Sequence, residues 1–162
     1  MPSEIERKYL VTGSDYKRLA LGTLYRQGYL CTDKERSVRI RVAGDRGYIT
    51  IKGDSRGAIR SEFEYPVPAP EAGEMLDSLC LKPLIEKIRY RIPLEGVVWE
   101  VDEFLGENEG LVIAEVELDS ERQLFDKPRW VGEEITGDAR YYNVNLVSHP
   151  YTKWKKDRAG GL

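Results

Sequence analysis

Apolar and polar residues alternate along most of this chain, and the polar positions are usually charged. The pattern begins at the N-terminus, where Glu4, Glu6 and Lys8 are separated by single residues. Successive side chains of a β-strand point to opposite faces, so this spacing predicts a strand with one charged face. Similar reasoning predicts eight strands in all, at residues 2–11, 25–31, 37–42, 48–52, 59–67, 85–92, 97–104 and 111–118.

Three helices are predicted between and after these strands. Their ranges are 16–24, 71–80, with Pro70 near its first turn, and 138–148, with Asp138 as its N-cap. Residues 119–137 are rich in turn signals. Short strands joined by tight turns favour a mainly β (α+β) fold, a closed antiparallel eight-stranded β-barrel tunnel with a few flanking helices. We expect one domain over 1–150 and a flexible C-terminal tail over 151–162.

The charged faces of the strands are sorted by sign, since some strands carry only acids and others only bases. The positions are Glu4, Glu6, Lys8, Arg39, Arg41, Lys52, Arg60, Glu62, Glu64, Lys87, Arg89, Arg91, Glu100, Asp102, Glu115 and Glu117. Two arrangements are open, an ordinary solvent-exposed face or the lining of a water-filled tunnel. The sorting favours the tunnel. Its apolar outer side would then need cover from helices or from a second subunit.

Composition limits the class of protein further. The 162 residues are 41% hydrophobic and 33% charged, and the net charge of −3 argues against a general nucleic-acid binder. No apolar run is long enough to span a membrane, and no signal-peptide core is present. Cys31 and Cys80 lack ligand-like spacing, which is typical of a reduced, cytoplasmic protein.

A carboxylate cluster beside an arginine and lysine cluster indicates phosphate chemistry. Carboxylates without His or Cys suit Mg²⁺ or Mn²⁺, and guanidinium and ammonium groups suit several phosphates together. The chain has no P-loop and no Ser–His or Cys–His pair, so water is the expected nucleophile. His149, the single histidine, is expected to be structural.

These motifs resemble the CYTH superfamily, the triphosphate tunnel metalloenzymes. Glu4-x-Glu6-x-Lys8 resembles the ExExK signature, and the later charged strands follow the family's order. The segment from Thr136 to Asn143 resembles the C-terminal part of short bacterial members. The similarity covers nearly the whole chain. It implies an eight-stranded tunnel in which acids bind metal, bases bind triphosphate, and inorganic triphosphate is hydrolysed.

The resemblance also implies roles for individual residues. Glu4, Glu6 and Lys8 are the expected catalytic group. The expected metal ligands are Glu4, Glu6, Glu62, Glu115 and Glu117. The expected phosphate clamp is Lys8, Arg39, Arg41, Lys52, Lys87 and Arg89. Either a second metal or structural ion pairs would account for Glu62, Glu64, Glu100 and Asp102. Arg91 shares the face but lies nearer the strand end.

Other functions stay open on the sequence. The same fold supports a class IV-type adenylyl cyclase that makes cyclic AMP from ATP, and a non-catalytic triphosphate or nucleotide sensor would need the same charges. The partner is a triphosphate-containing small molecule, with neither nucleic acid nor membrane expected, and a homodimer is an open option. The 138–148 helix either plugs one tunnel mouth, with Arg140 reaching inward, or packs outside through Tyr142, Leu146 and Val147.

Overall fold

The computed structural model describes residues 3–56 and 59–154, without the side chains of residues 3, 55 and 56. The last eight residues of the predicted C-terminal tail therefore lie outside the described part. Its strands are β1 Ser3–Val11, β2 Gly22–Cys31, β3 Arg36–Ala43, β4 Arg46–Arg56, β5 Ile59–Val67, β6 Ile85–Leu94, β7 Val97–Phe104, β8 Val112–Glu117 and β9 Val131–Glu134. The helices are α1 Ala69–Ser78 and α2 Asn143–Ser148, and 3₁₀ turns occupy Asp15–Arg18, Gly106–Asn108, Ala139–Tyr141 and Tyr151–Lys153.

Eight of the strands form a closed antiparallel ring in the order β5-β4-β3-β2-β6-β7-β8-β1, which closes through pairing of β1 with β5. On one edge of β1, Lys8 lies opposite Glu115 of β8. On the other edge, Glu4 lies opposite Arg60 of β5, and Tyr9 further along pairs with Glu134 of β9. The predicted eight-stranded barrel is confirmed, with β9 added as a ninth strand against β1.

Apolar side chains on the outside of the barrel are covered by the chain's own helices and loops. Trp99 and Tyr9 are buried in an aromatic cluster with Trp130, which lies in the connection between β8 and β9. Leu146 of α2 is buried with Phe104 of β7 in a second cluster, which lies on the inward strand face because Phe104 pairs with Lys87 and Ile113 with Asp102. The fold therefore has apolar layers outside the ring, and inside it charged side chains with an apolar cluster at one end.

Helix α1 packs closely against β3 and β4. Ala72 and Leu76 are fully buried there against Ile40. Gly47 of β4 allows this approach, because an added Cβ would lie 2.7 Å from the Cβ of Ala72 and 2.8 Å from the carbonyl oxygen of Val67. A side chain at position 47 would therefore push the helix away from the sheet.

The prediction of a helix over 16–24 is wrong. Only a 3₁₀ turn forms there, at Asp15–Arg18, and β2 already begins at Gly22. A Cβ at Gly22 would clash with Cγ2 of Ile88, so side chains of β6 pack directly over the backbone of β2 at this point. Pairing with β6 thus overrides the local helical preference of the leucines in this segment.

The predicted helix over 138–148 is divided into two parts. Asp138 does act as a cap, because its side chain accepts a hydrogen bond from the backbone N–H of Arg140, but it caps the 3₁₀ turn. Tyr142 is extended, with ψ of 133°, and α2 begins only at Asn143.

The short strand β9 was missed, since the sequence predicted only turns there.

Part of the outer surface of β4 and β5 stays open. Tyr65 is 55% exposed, and Ile51 and Ile59 are also partly exposed on this side. A second copy of the chain covering them stays a prediction. No helix in the described ranges is long and apolar enough to cross a membrane.

Candidate active site

A cavity of about 210 Å³ lies inside the barrel, and its wall is almost entirely charged. We call it the main cavity. Its lining comprises Glu4, Glu6, Lys8, Tyr25, Arg39, Arg41, Lys52, Glu62, Glu64, Arg89, Glu100, Glu115, Glu117 and Asn143. The inward orientation expected from strand alternation is therefore what the fold produces. Ten of the eleven residues predicted for the site surround this one space.

The residues of β1 lie on the floor of the main cavity beside those of β8. The Nζ of Lys8 lies 3.7 Å from Glu6 and 3.8 Å from Glu115. Burial disfavours the charged form of Lys8, yet Glu115 and Glu6 outweigh it and hold its pKa above the ordinary value. Lys8 is thus a charged ammonium held between two strands. It also lies 5.3 Å from the ring centre of Tyr142.

The carboxylates of the main cavity are crowded enough to disturb one another. Burial and the neighbouring Glu62 raise the pKa of Glu4 to about 7, although Lys52, with its Nζ 2.8 Å away, opposes this. Burial, Glu4 and then Glu100 likewise raise the pKa of Glu117. The raised pKa values mean that these carboxylates repel one another when ionised and have too few cations close to them. Added positive charge would relieve that repulsion.

Arg39 differs from the other cations of this wall, because it has no partner among the described residues. Among the residues that the structure describes, it makes no hydrogen bond and no ion pair, and its Nε is buried. Arg41 donates to Glu64 at 3.1 Å, but its Nε is also buried without a partner. Because an uncompensated buried charge is costly, these guanidinium groups are prepared for an anion.

One aromatic ring contacts two of the arginines. The guanidinium carbons of Arg41 and Arg89 lie 5.2 and 4.9 Å from the ring centre of Tyr25, respectively. Tyr48 lies 4.9 Å from Arg41 as well. These are cation–π distances, and they fix where the two guanidinium groups point. Tyr25 was not predicted for the site, although it lies on the inward face of β2.

Lys87 is the predicted clamp residue that the structure places outside the main cavity wall. Its side chain is 1% exposed, and its Nζ lies 2.7 Å from Asp102 and 3.4 Å from Oδ1 of Asn143. Burial, helped by Arg89, lowers the pKa of Lys87 to about 8 despite Asp102. Lys87 therefore does not line the main cavity, but it shares Asp102 with the cavity residue Arg89.

Arg89 is held rigidly by acids on β7. Its Nε and one terminal nitrogen donate to the two oxygens of Asp102 at 2.7 and 2.8 Å, and the other terminal nitrogen lies 3.3 Å from Glu100. Burial works against ionisation of Asp102, but Arg89 and Lys87 together hold its pKa well below the usual range. Asp102 is therefore an ion-pair residue in this structure, while Glu100 lines the main cavity.

A second, smaller cavity of about 30 Å³ adjoins the first, and we call it the side cavity. The two share Lys8, Arg39, Lys52 and Asn143. The residues lining only the side cavity are Tyr29, Ser37, Arg60, Tyr142 and Val144. Sequence alternation had placed Arg60 on the charged face but gave it no role.

The start of α2 contributes to both cavities, but Arg140 does not. Arg140 is exposed and pairs with Asp138 at 2.7 Å, so the expectation that it reaches inward is wrong. Tyr142 and Asn143 instead face the cavities, while Leu146 and Val147 pack into the apolar cluster. Because that cluster lies on the inward strand face, the segment packs at one end of the barrel interior, as the plug hypothesis expects, and the hypothesis that it packs outside is wrong.

Whether the main cavity fits a metal ion depends on which atoms of its wall could bind one. Among residues 3–56 and 59–154, no three carboxylate, histidine or cysteine groups already converge on one point. The carboxylates facing the main cavity nevertheless offer oxygen atoms, as Mg²⁺ and Mn²⁺ prefer, and the raised pKa values of Glu4 and Glu117 indicate a deficit of positive charge beside them. Glu4, Glu6, Glu62, Glu115 and Glu117 fit a hard cation in their donor chemistry, and Lys8 lies between Glu6 and Glu115.

The closed, charge-lined barrel defines a class of proteins, and comparison with known families gives the same class. The CYTH domain model matches residues 2–151, and the chain belongs to this family. An inorganic triphosphatase of Acetivibrio thermocellus is 58% identical over 156 residues, 96% of this chain and all of that protein. One from Nitrosomonas europaea is 38% identical over 90% of this chain and 97% of its own length.

A solved structure gives the same relationship in three dimensions. The crystal structure of the inorganic triphosphatase NE1496 superposes with a TM-score of 0.63 at 36% identity, covering 88% of this chain and 96% of that one. The family resemblance expected from Glu4-x-Glu6-x-Lys8 and the charged strands is therefore confirmed.

Proposed function

We propose that this chain hydrolyses inorganic triphosphate to pyrophosphate and orthophosphate inside the main cavity. The observation that carries the proposal is Arg39, a guanidinium without a partner in the described residues, facing a cavity that also holds seven carboxylates. Such a wall suits a polyanion delivered with a cation. The two relatives named inorganic triphosphatase support this choice of substrate.

The cationic side chains would bind and orient the substrate. Arg39 has no carboxylate to release among the described residues, whereas Arg41 would exchange Glu64 for a phosphate oxygen. Arg89 stays forked on Asp102, and its other terminal nitrogen would exchange Glu100 for a phosphate oxygen. Because these groups are held by the barrel wall before substrate arrives, little reorganisation is needed when charge develops on the phosphates.

We propose Mg²⁺ or Mn²⁺ as the cofactor, held by Glu4, Glu6, Glu62, Glu115 and Glu117. When bound, such an ion neutralises phosphate charge and activates water. The protein's own part is to orient the attacking water, and a carboxylate on the cavity floor accepts a hydrogen bond from it. Glu6→Ala should abolish turnover, as should Glu4→Ala. Arg39→Ala should chiefly raise KM, since it binds ground state and transition state alike.

The deciding experiment compares substrates. Orthophosphate release from inorganic triphosphate, pyrophosphate, ATP and thiamine triphosphate is measured with Mg²⁺ and with Mn²⁺, and cyclic AMP is assayed with ATP. Triphosphate should be the preferred substrate, and the exposed Glu86→Ala variant should match the parent. Cyclic AMP formation would favour the cyclase reading, and tight binding without turnover would favour the sensor. Full activity of Glu6→Ala would remove Glu6 from the site.

The setting of the reaction is also part of the proposal. Cys31 and Cys80 are free thiols, which supports a reducing compartment such as the cytoplasm. A homodimer stays a prediction, and light scattering coupled to gel filtration tests it.

A further inference from the structure

We propose that the side cavity is a subsite for the terminal phosphoryl group of the triphosphate chain, and that Arg60 is the residue that recognises it. This inference rests on the proposed function. It adds an orientation, because one free end of the substrate lies in the side cavity while the rest lies in the main cavity.

The first argument is the separation of charges between the two cavities. Seven carboxylates line the main cavity, whereas the described residues that line the side cavity include none. Four cations face the side cavity, namely Lys8, Arg39, Lys52 and Arg60. A metal ion would therefore be drawn to the main cavity, and an unmetallated anionic group to the side cavity.

The second argument is the state of Arg39 and Arg60. Within the described ranges neither forms an ion pair, and the Nε of each is buried without a partner. Arg60 donates one hydrogen bond, from Nη2 to the carbonyl oxygen of Gly53 at 3.3 Å. Glu4 lies directly opposite Arg60 in the strand register, yet it pairs with Lys52 at 2.8 Å. Positive charge that the described residues leave without a counter-ion thus lies in the wall of the side cavity, which both arginines line.

The third argument is which phosphate group suits this place. A terminal phosphoryl group carries a second negative charge near neutral pH and three free oxygens, whereas an internal phosphate carries one charge and two free oxygens. Two guanidinium forks match the terminal group better. The space of about 30 Å³ has room for roughly two water-sized groups, so it would take phosphoryl oxygens of a chain that extends in from the main cavity, and it excludes a nucleoside.

Binding without metal tests the subsite directly. Calorimetric titration of metal-free protein with inorganic triphosphate should show Arg60→Gln binding about 10-fold or more weakly than the parent. Arg60→Lys keeps the charge without the fork and should fall between the two. Arg91→Gln, an arginine on an exposed strand position outside both cavity walls, should bind like the parent. Thermal melting checks that each variant is folded.

Capped substrates test the orientation. ATP has one free terminal phosphoryl group, and a dinucleoside triphosphate has none. The parent should bind ATP about 10-fold more tightly than the dinucleoside triphosphate, and Arg60→Gln should lose most of that difference. Equal binding of the two by the parent, or unchanged triphosphate binding by Arg60→Gln, would overturn the proposal.

Turnover separates the two levels of inference. If the parent hydrolyses triphosphate but Arg60→Gln has the same KM and the same metal-free affinity, the subsite is wrong and the proposed function stands. If the parent shows no hydrolysis, the proposed function fails, and the metal-free titrations still decide whether the side cavity binds a terminal phosphoryl group.

Discussion

Lys87 and Asp102 form an ion pair of 2.7 Å in which each side chain is only 1% exposed. The pair joins β6 to β7 on the inward strand face, where Asn143 and Phe104 contact Lys87 outside the main cavity. Asp102 simultaneously holds the fork of Arg89, which faces the substrate space. The position of a cavity arginine therefore depends on a charge pair that does not line the main cavity.

Removing the two members of this pair should have unequal effects. Asp102→Asn leaves Lys87 buried without a counter-ion and should lower the free energy of unfolding by about 3–5 kcal/mol. Lys87→Met should cost less, because Asp102 keeps the fork of Arg89. Urea denaturation of both variants measures the difference. A larger loss for Lys87→Met would show that Arg89 does not compensate Asp102.

Asp102 should make the free energy of unfolding depend on pH. Its folded-state pKa is held below the ordinary value, so its contribution to stability is present above about pH 4 and is lost as pH falls further. The stability difference between the parent and Asp102→Asn should therefore shrink between about pH 5 and pH 3. Urea unfolding at several pH values checks this. A constant difference would mean that the carboxylate stays ionised in both states.

Tyr25 should act through the arginines it contacts. Tyr25→Leu removes one ring from both Arg41 and Arg89 and should raise KM for triphosphate about 10-fold. Tyr25→Phe keeps the ring and should stay within about 2-fold of the parent. Tyr48→Leu is the matched control, since that ring contacts Arg41 and should have the smaller effect. Steady-state kinetics decide, and a fall in kcat at unchanged KM would contradict the positioning role.

Cation binding should be detectable without substrate. Mg²⁺ or Mn²⁺ should raise the melting temperature as its concentration rises above Kd, with a logarithmic dependence on concentration, because it binds the folded state. The double variant Glu6→Gln, Glu115→Gln should lose that increase, while Glu86→Gln should retain it. Differential scanning fluorimetry provides the measurement. The same increase in the double variant would move the cation to another set of ligands.

The contact of α1 with β4 gives a prediction about stability alone. Gly47→Ala should destabilise the protein, because its Cβ would meet Ala72 and the backbone of Val67. Gly73 lies in α1, and a Cβ added there would have nothing within 4 Å. Gly73→Ala should therefore stabilise the protein by up to about 1 kcal/mol. Chemical denaturation compares the two. Neutral behaviour of Gly47→Ala would mean that α1 can shift outward at no cost.

Much of the barrel could be predicted because its alternation has a period of two. Once Glu4 and Arg39 are assigned to an inward face, the rest of each strand follows, and tight turns set the neighbours. The exceptions depend on tertiary contacts. Gly22 begins β2 because its backbone meets Ile88, and β9 forms because β1 offers it an open edge. Neither contact is visible in a local pattern.

The sequence predicted which residues belong to the candidate site, but not how deeply each one is buried. Lys87 and Arg89 are two cationic residues on the same face of β6. Lys87 is buried outside the main cavity, whereas Arg89 faces it. The difference comes from Asn143 and Phe104, which pack on Lys87 from distant parts of the chain. Tyr25 could have been found, because alternation places it on the inward face of β2.

The N-terminal strand is the place where the ring closes, and this has a consequence for how the protein comes to be active. Glu6 and Lys8 meet Glu117 and Glu115 across the β1–β8 seam, joining positions about a hundred residues apart. A chain that has formed every hairpin but not this seam would possess all the acids and bases and still lack a reaction chamber. Appearance of catalysis during refolding would thus report the pairing of β1 that closes the ring.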